Sequence, residues 1–344
     1  MLSASRELAE PAEAREPAEL RGHGRDDVRL LVAHRDGGIE HARFADLPEL
    51  LAPGDLLAVN TSATMPAAIS VRAPAGELRL HLSGPARGRS DGAWLVELRR
   101  AGDRFRGGSE GDVLLLPAGG TAVLVERDPG GRLWLASLRL PAAVPRYLAR
   151  HGEPIRYRHA TRPWPLERYQ TVYGNVPGSA EMPSAGRAFT PELVTRLVAA
   201  GIDVAPLVLH AGVSSLEAGE TPYAEWYRVP RFTAERINLA RALGGRVIAV
   251  GTTVVRALES AAGRDGRVRE REGWTELVIA PDSTIKAMDG LLSGFHDRDS
   301  SHLAMLEAIA GADLLERSYA EAAGAGYLRH EFGDLHLIMP AACP

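Results

Sequence analysis

The sequence predicts an α/β protein that carries an all-β insertion. Helical patterns alternate with apolar strands beyond residue 141, and short β-type runs separated by Gly/Pro turns fill the stretch from about residue 67 to residue 140. Alternating helices and strands are typical of a parallel or mixed sheet covered by helices. Closely spaced short strands without a helical period indicate a small antiparallel barrel or sandwich. We therefore expect residues 26–65 and 141–344 to form one α/β domain and residues 66–140 to form the insertion.

In the first part of the chain, the apolar run Val28–Ala33 predicts a buried strand. Ile39–Phe44 is expected to pair with it across the Asp36-Gly37-Gly38 turn, and Leu56–Asn60 follows as a further strand. Residues 1–25 are rich in Ala, Glu, Pro and Arg and are expected to be flexible, at least in part. The strands of the insertion are predicted at Glu77–Leu82, Ala93–Arg99, Val113–Leu116, Thr121–Glu126 and Leu133–Leu140.

The later α/β part contains recognisable helix boundaries. Thr190 suits an N-cap, Pro191 the first helical position, and Gly201 the residue after the helix. Ile202–Leu209 follows as a strand, and Thr233 is expected to cap a second helix that ends at Gly244-Gly245. The remaining predicted elements are a strand at Arg246–Val250, a helix at Val254–Ala262, a strand at Leu277–Ala280 and a helix at Ser300–Gly311 with Ser300 or Ser301 as its cap.

Composition excludes several classes of protein. The 344 residues are 45% hydrophobic and 24% charged, which is usual for a globular protein of about two domains. The single cysteine, Cys343, excludes an intrachain disulfide and a cysteine-based zinc site. The chain lacks an apolar run long enough to span a membrane, and its acidic start does not resemble a signal peptide. A soluble cytoplasmic protein is expected.

Charge is distributed unevenly along the chain. The net charge is −4, but the stretch from Arg127 to Arg168 holds nine arginines against three acids, a local balance of +6. From Glu270 onward, thirteen acids face five bases, a balance of −8. A basic middle on an acidic chain indicates either a surface that faces phosphates or an ordinary solvated face.

Two loops with small residues are candidate ligand-binding segments. The first, residues 177–190, holds Glu181, Ser184, Gly186 and Arg187 just before a helix, and small residues allow a ligand to approach the backbone. An ordinary Gly/Pro loop is the alternative. The second, residues 209–217, follows a strand, and ligands of open α/β sheets bind beyond the carboxyl ends of strands. Its polar residues are His210, Ser214, Ser215 and Glu217, together with Gly212. A structural role for the lone histidine is the alternative.

Two later segments carry further polar groups. Gly251-Thr252-Thr253 joins a strand to a helix, so its free N–H groups and the helix dipole predict an anion site, to which Arg256 adds a partner for a carboxylate. Simple capping by Thr252 or Thr253 is the alternative. The segment from Ser293 to His302 includes His296, Asp297 and Asp299, a mixture that suggests metal ligation, but no known ligand spacing fits and no metal is expected.

Walker A, G-x-G-x-x-G and G-x-S-x-G motifs are missing from the chain. Reasoning from residues alone therefore ends at a two-domain α/β enzyme that binds an anionic or zwitterionic ligand.

Several ordered motifs resemble one family, the S-adenosylmethionine:tRNA ribosyltransferase-isomerases of the queuosine pathway. The similarity extends from about Arg25 to Pro340. The motifs that carry it are Pro53–Asn60, Arg168–Tyr173, Gly178-Ser179, Pro183–Gly186, Phe189-Thr190, Leu209–Gly212, Ala249–Thr253, Arg256–Ser260, Gly294–His296, Ser300–Leu306 and Phe332–Asp334.

The resemblance implies a layered α/β domain (a Rossmann-like sandwich) with an inserted β-barrel. It also implies transfer and isomerisation of the ribosyl part of S-adenosylmethionine onto a 7-aminomethyl-7-deazaguanine base of tRNA, giving epoxyqueuosine with release of adenine and methionine, and no metal. His210 and His296 would then transfer protons, and Glu181 or Glu217 would face the sulfonium. The expected donor-binding residues are Gly251, Thr252, Thr253, Arg256, Ser184, Gly186, Arg187 and Gly212.

This chain departs from the family pattern at several charged positions. Asn60–Thr64 lacks an Asp and an Arg of the usual motif, and Ala180–Ala188 loses a His but gains Glu181 and Arg187. Val213–Ser215 and Tyr223–Tyr227 also replace typical family elements. Exchanged charges in a site usually indicate altered ligand recognition. A related transferase with a small-molecule acceptor, or a non-catalytic nucleotide- or RNA-binding protein, is therefore the alternative. The chain is expected to be a monomer or weak dimer.

Overall fold

The computed structural model describes residues 9–89, 92–128, 130–156, 159–213, 223–298 and 300–341. Among these residues, none of the helices has the length and apolarity to cross a membrane. The strands are β1 (Ala12–Glu13), β2 (Arg29–His34), β3 (Ile39–Arg43), β4 (Leu56–Asn60), β5 (Ser62–Thr64), β6 (Ala68–Ala73), β7 (Gly76–Pro85), β8 (Ala93–Arg100), β9 (Asp103–Arg104), β10 (Val113–Leu115), β11 (Thr121–Arg127), β12 (Trp134–Arg139), β13 (Val176–Ser179), β14 (Asp203–Leu209), β15 (Glu225–Val229), β16 (Val247–Val250), β17 (Arg271–Thr275), β18 (Gly290–Gly294), β19 (Leu328–Arg329) and β20 (Leu335–Met339). The helices are α1 (Leu47–Leu50), α2 (Val144–His151), α3 (Pro191–Ala199), α4 (Arg231–Ala242), α5 (Thr252–Ala261), α6 (Ser301–Ala310) and α7 (Ala312–Gly324).

A mixed sheet in the order β17-β15-β14-β4-β16-β18-β20-β2-β3 forms the centre of the molecule. Its middle strands β14, β4, β16 and β18 run parallel. Strand β4 is buried on both faces: Leu56 and Ala58 join one apolar core, while Leu57 and Val59 join the other. Near-continuous apolar strands are expected in a sheet covered on both sides, so the predicted layered α/β architecture is confirmed.

The insertion is a barrel. Its antiparallel strands follow the order β12-β11-β10-β6-β7-β8, and β12 pairs back onto β8 to close the ring. Alternate side chains such as Leu80, Val96 and Leu124 fill the interior. The pairing of β12 with β8 closes the sheet on itself, so of the two predicted architectures, barrel and sandwich, the insertion adopts the barrel.

Residues 9–25, for which the sequence predicts flexibility, are packed against the α/β layers. Ala14 and Ala18 are buried, and β1 pairs in parallel with β19. The carboxylate of Glu19 accepts hydrogen bonds from Arg187 at 2.8 and 3.0 Å. These apolar and ionic anchors order a stretch whose composition alone resembles that of a flexible terminus.

Two local predictions in the α/β part are wrong. Thr233 does not cap α4, because the helix begins at Arg231 after Pro230, and the buried Thr233 hydroxyl instead donates to the carbonyl of Pro206 at 2.6 Å. Residues 277–280 do not form a strand, and the preceding strand β17 ends at Thr275. The Leu277 carbonyl accepts a hydrogen bond from Arg256 at 3.0 Å, so this segment is held by a side chain and not by a neighbouring strand.

Candidate active site

A cleft with a cavity volume of about 150 Å³ opens at the carboxyl edge of the central sheet. Strands β14, β16 and β18 run in the same direction, so the loops that follow them meet at this edge. The loop around residues 181–185 and the segment at residues 277–279 complete the walls. The polar and titratable lining residues are Glu181, Ser184, Tyr223, Glu225, Thr252, Thr253, Arg256, Ser293, His296, Ser301 and His302.

The cleft brings together many of the residues that sequence reasoning selected. Glu181 and Ser184 lie in one wall, Gly212 in a second, and Gly251, Thr252, Thr253 and Arg256 in a third, with His296 nearby. These segments are far apart in the chain. They converge because each one follows a strand of the central sheet or precedes a helix that covers it.

The start of α5 forms a polar end of the cleft. Gly251 precedes the helix with φ of +95°, a conformation that favours glycine, and among the described residues no side chain caps the helix. The first amide groups of a helix lack intrahelical partners and carry partial positive charge. The buried Asn60 supports this end, because its amide donates to the Leu209 carbonyl at 2.8 Å and to Thr253 Oγ1 at 3.2 Å. This arrangement suits the binding of a carboxylate.

Two neighbouring imidazoles lie in the lining of the cleft. His296 Nε2 lies 2.8 Å from Ser293 Oγ, and the ring centroids of His296 and His302 are 4.7 Å apart. Burial holds the pKa of His296 well below its usual range, and His302 lowers it further. Burial, together with the nearby Arg256, lowers the pKa of His302 to about 4. Both rings are therefore neutral near pH 7 and can accept protons.

Arg256 lines the cleft, but its guanidinium is already engaged. It forms an ion pair with Glu225 and donates to the carbonyls of Leu277 and Thr275. The other oxygen of Glu225 accepts the backbone N–H of Gly212 at 2.7 Å. This pair links α5 to the loop after β14. It differs from the expected role of Arg256 as a direct partner for a ligand carboxylate.

His210 does not line the cleft and lies directly behind one wall. Its Nδ1 is 2.8 Å from Ser62 Oγ, and its ring stacks on Trp226 at 5.1 Å. Burial, with a contribution from Arg228, lowers the pKa of His210 to about 4. A side chain at Gly178 would overlap the imidazole, so glycine is required there. The arrangement favours the structural alternative for His210, as a support for the Ala211-Gly212 wall.

Gly186 and Arg187 also lie outside the lining of the cleft. The Arg187 side chain is buried, pairs with Glu19 and donates to the Arg168 carbonyl at 2.9 Å. Burial raises the pKa of Glu19, but the hydrogen bond and charge of Arg187 outweigh this effect and lower it to about 2. Gly186 packs against the Tyr173 hydroxyl, where a Cβ would clash. Both residues therefore fix the loop and do not face the cleft. Glu217 lies outside the described residues.

Sequence reasoning did not select several lining residues as site residues. Tyr223 donates its hydroxyl to the Val213 carbonyl at 2.7 Å and closes one side, while Glu225 begins β15. His302 lies on α6 and faces the cleft from the first turn. The sequence holds no spacing signal for these contacts, because the antiparallel strand β15 and helix α6 approach the cleft from separate layers. The one indication in the sequence that His302 belongs to the site was its place in the same polar segment as Ser293 and His296.

Comparisons with known proteins agree on one family. Residues 5–338 match the model of the family described as queuosine biosynthesis protein. The chain is 36% identical to an S-adenosylmethionine:tRNA ribosyltransferase-isomerase of Desulfitobacterium hafniense, over 97% of this chain and 98% of the relative. It is 39% identical to the protein of that name from Symbiobacterium thermophilum, over 92% and 94%. The crystal structure of the S-adenosylmethionine tRNA ribosyltransferase of Thermotoga maritima is similar, with a TM-score of 0.54, 30% identity and coverage of 95% and 96%.

Proposed function

Because this chain belongs to the queuosine biosynthesis protein family, we propose that it is an S-adenosylmethionine:tRNA ribosyltransferase-isomerase. The enzyme joins the ribosyl carbons of S-adenosylmethionine to the aminomethyl nitrogen of a deazaguanine base in tRNA and rearranges them into the epoxide of epoxyqueuosine. Adenine and methionine are the leaving groups. The observation that carries this proposal is the cleft itself, where a helix N-terminus and neutral imidazoles line one cavity.

The start of α5 is assigned to the methionine carboxylate of the donor. The amide groups at Thr252 and Thr253 and the positive end of the helix dipole favour an anion at this point. Glu181, which also lines the cleft, supplies negative charge that attracts the sulfonium. Arg256 serves as a positioning residue, since its pairing with Glu225 fixes the distance between α5 and the loop that contains Gly212.

His296 is assigned as the base that removes the C5′ proton next to the sulfonium. A base must be unprotonated at working pH, and burial keeps this imidazole neutral. Ser293 Oγ, at 2.8 Å, orients the ring. The proton that His296 accepts then lies beside His302, from which it can pass to the nitrogen of departing adenine. His302 is thus the second proton-transfer residue, in place of the His210 of the sequence-based expectation.

Exposed arginines support tRNA as the acceptor. In the described part of the basic stretch, the arginines exposed to solvent are Arg139, Arg146, Arg150, Arg156 and Arg162. Three arginines of the stretch are paired internally. Arg127 donates hydrogen bonds to backbone carbonyls. Arg132 forms an ion pair with Glu97, and Arg168 forms one with Glu19. Exposed cations suit the phosphate backbone of RNA. As tRNA is cytoplasmic, we place the protein in the cytoplasm.

The test is an incubation of the purified chain with S-adenosylmethionine and tRNA that carries the aminomethyl-deazaguanine base. We expect stoichiometric release of adenine and methionine, quantified by mass spectrometry. The matched control is the same tRNA with guanine at that position, which should give no release. Binding of S-adenosylmethionine without release on the modified tRNA would contradict the tRNA acceptor. Absence of donor binding would contradict the proposal as a whole.

A further inference from the structure

We propose that His159, His330 and Glu331 form a binding site for a divalent transition-metal ion of the zinc class. The three residues lie outside the lining of the cleft, and the proposal does not depend on the proposed function. Among the described residues, they are the group of histidine and carboxylate side chains whose ligand atoms come closest to a metal-binding set, with all of these atoms within 4.8 Å of one another.

Three suitable donors lie close together. His159 Nε2 lies 2.6 Å from Glu331 Oε2, and the rings of His159 and His330 stack with centroids 4.2 Å apart. The side chains are only 9%, 13% and 17% exposed for His159, His330 and Glu331, respectively. Two imidazoles with one carboxylate are a donor set that zinc accepts, with water as the fourth ligand.

A tight turn places His330 and Glu331, which are adjacent in the sequence, next to the distant His159. His330 has φ of +73°, which is rare for a residue other than glycine. The conformation is held by the His330 N–H, which donates to the Phe295 carbonyl, and by the Gly333 N–H, which donates to the His330 carbonyl at 3.0 Å. The turn lets the adjacent side chains of His330 and Glu331 both reach His159, which is remote in the sequence.

The surrounding charges favour a cation. His330 Nε2 lies 3.7 Å from both Glu13 Oε1 and Asp297 Oδ1. Glu10 pairs with Arg329, whose Nε donates to His330 Nε2 at 3.1 Å. Four carboxylates, including that of Glu331, lie near this point together with the guanidiniums of Arg329 and Arg298, so negative groups outnumber positive ones. This excess of negative charge attracts a divalent ion, which competes with Arg329 for His330.

Metal binding at this point replaces a hydrogen bond. The hydrogen bond between His159 and Glu331 holds one proton, and when a metal takes both atoms as ligands, the neutral His159 ring carries that proton on Nδ1 instead of Nε2. The coordination ties the segment near His159 to the turn before β20. No bond is made or broken in any substrate, so the role is structural and not catalytic.

The test uses the full chain stripped of metal with a chelator and then titrated with Zn²⁺ by calorimetry and with Co²⁺ by visible absorption. The native chain should take up one ion with the absorption of a four-coordinate cobalt site. The His159→Gln and Glu331→Gln variants should bind at least about 100-fold more weakly, since even outer-shell changes cost 10–100-fold.

Two further variants keep the result interpretable. His330→Asn removes the imidazole but retains a residue that tolerates positive φ, so the turn is preserved and only metal affinity should fall. His23→Gln, at an exposed site, is the matched control and should bind like the native chain. No saturable uptake by the native chain, or equal affinity in the folded His330→Asn and native chains, would overturn the proposal.

Discussion

At the scale of residues, the site depends on imidazoles kept neutral by burial. His296 and His302 lie against buried groups from β18, α6 and α7. A histidine exposed to water titrates near pH 6.5, whereas these two remain unprotonated well below it. The low pKa keeps each ring unprotonated at neutral pH, makes it a weaker base than an exposed imidazole, and makes the protonated ring a stronger acid.

We predict that His296→Gln lowers turnover by about 100- to 10,000-fold, because glutamine can keep a hydrogen bond to Ser293 but cannot act as a base. The affinity for S-adenosylmethionine should change little, which is measured by calorimetry alongside the rate of adenine release. His23→Gln serves as the control and should retain native turnover. Turnover of His296→Gln within threefold of native would remove His296 from the mechanism. A loss confined to His302→Gln would transfer the role of base to His302.

Residue positions were predictable where a strand end fixed them. Gly212, Thr252 and His296 each follow a strand of the central sheet and were predictable as neighbours in one cleft. Arg187 was not, because its partner Glu19 lies in a segment that composition predicts to be flexible. A sequence records that an arginine stands before a helix, but it does not record which carboxylate is folded against it.

At the scale of elements, helix boundaries followed their capping chemistry. Thr190 Oγ1 accepts the N–H of Leu193 at 3.1 Å, as expected of an N-cap, and Ser300 Oγ accepts the N–H of Leu303 at 3.3 Å. Thr233 suggested a cap as well, but Pro230 set the start of α4 instead. The prediction of a strand at residues 277–280 was also wrong, because an apolar run is equally suited to a strand and to the wall of a cleft.

The cap of α3 gives a prediction at this scale. Thr190→Ala should lower the free energy of unfolding by about 1 kcal/mol, within a range of about 0.5–2 kcal/mol, because the N–H of Leu193 loses its acceptor. Thr195→Ala, in the middle of the same helix and exposed, is the matched control and should be neutral or slightly stabilising. Urea denaturation measures both. Equal effects of the two substitutions would show that the cap contributes nothing.

At the scale of the whole molecule, buried histidines should make the fold sensitive to acid. Burial lowers the pKa values of four histidines, to about 3 in one case and about 4 in the others, from 6.5 when unfolded: His336, His81, His210 and His302. At a pH between the folded-state and the unfolded-state pKa of these imidazoles, the unfolded chain binds protons that the folded chain does not. Stability is therefore complete above pH 6.5 and is lost as pH falls toward 4.

We predict a lower urea midpoint at pH 5 than at pH 7. His159 opposes this trend, since Glu331 outweighs burial and raises the pKa of its imidazole, but it is one group against six, because burial also lowers the pKa values of His296 and His330. The carboxylate of Glu19, with a pKa of about 2, contributes a loss only below about pH 4.5, outside the compared range. An unchanged or higher midpoint at pH 5 would show that these histidines are not buried in neutral form.

The overall architecture was largely predictable because two different periodicities occur in separate parts of the chain. Short alternating runs gave the barrel, and β-α alternation gave the layered sheet. Strand order was not predictable: β4, early in the chain, lies between β14 and β16 because later strands pair on both of its edges. The same long-range pairing brings His159 to His330 and Glu331, which no local spacing indicates.

The measurement that most directly tests the central claim is mass spectrometry of nucleosides from the tRNA after incubation with S-adenosylmethionine. The cleft is proposed to transfer the donor's ribosyl carbons to the base, so the native chain should convert the aminomethyl-deazaguanosine into the epoxide nucleoside, and His296→Gln should leave it unconverted. Release of adenine with the nucleoside unchanged would contradict the account, because the ribosyl group would then have gone to another acceptor.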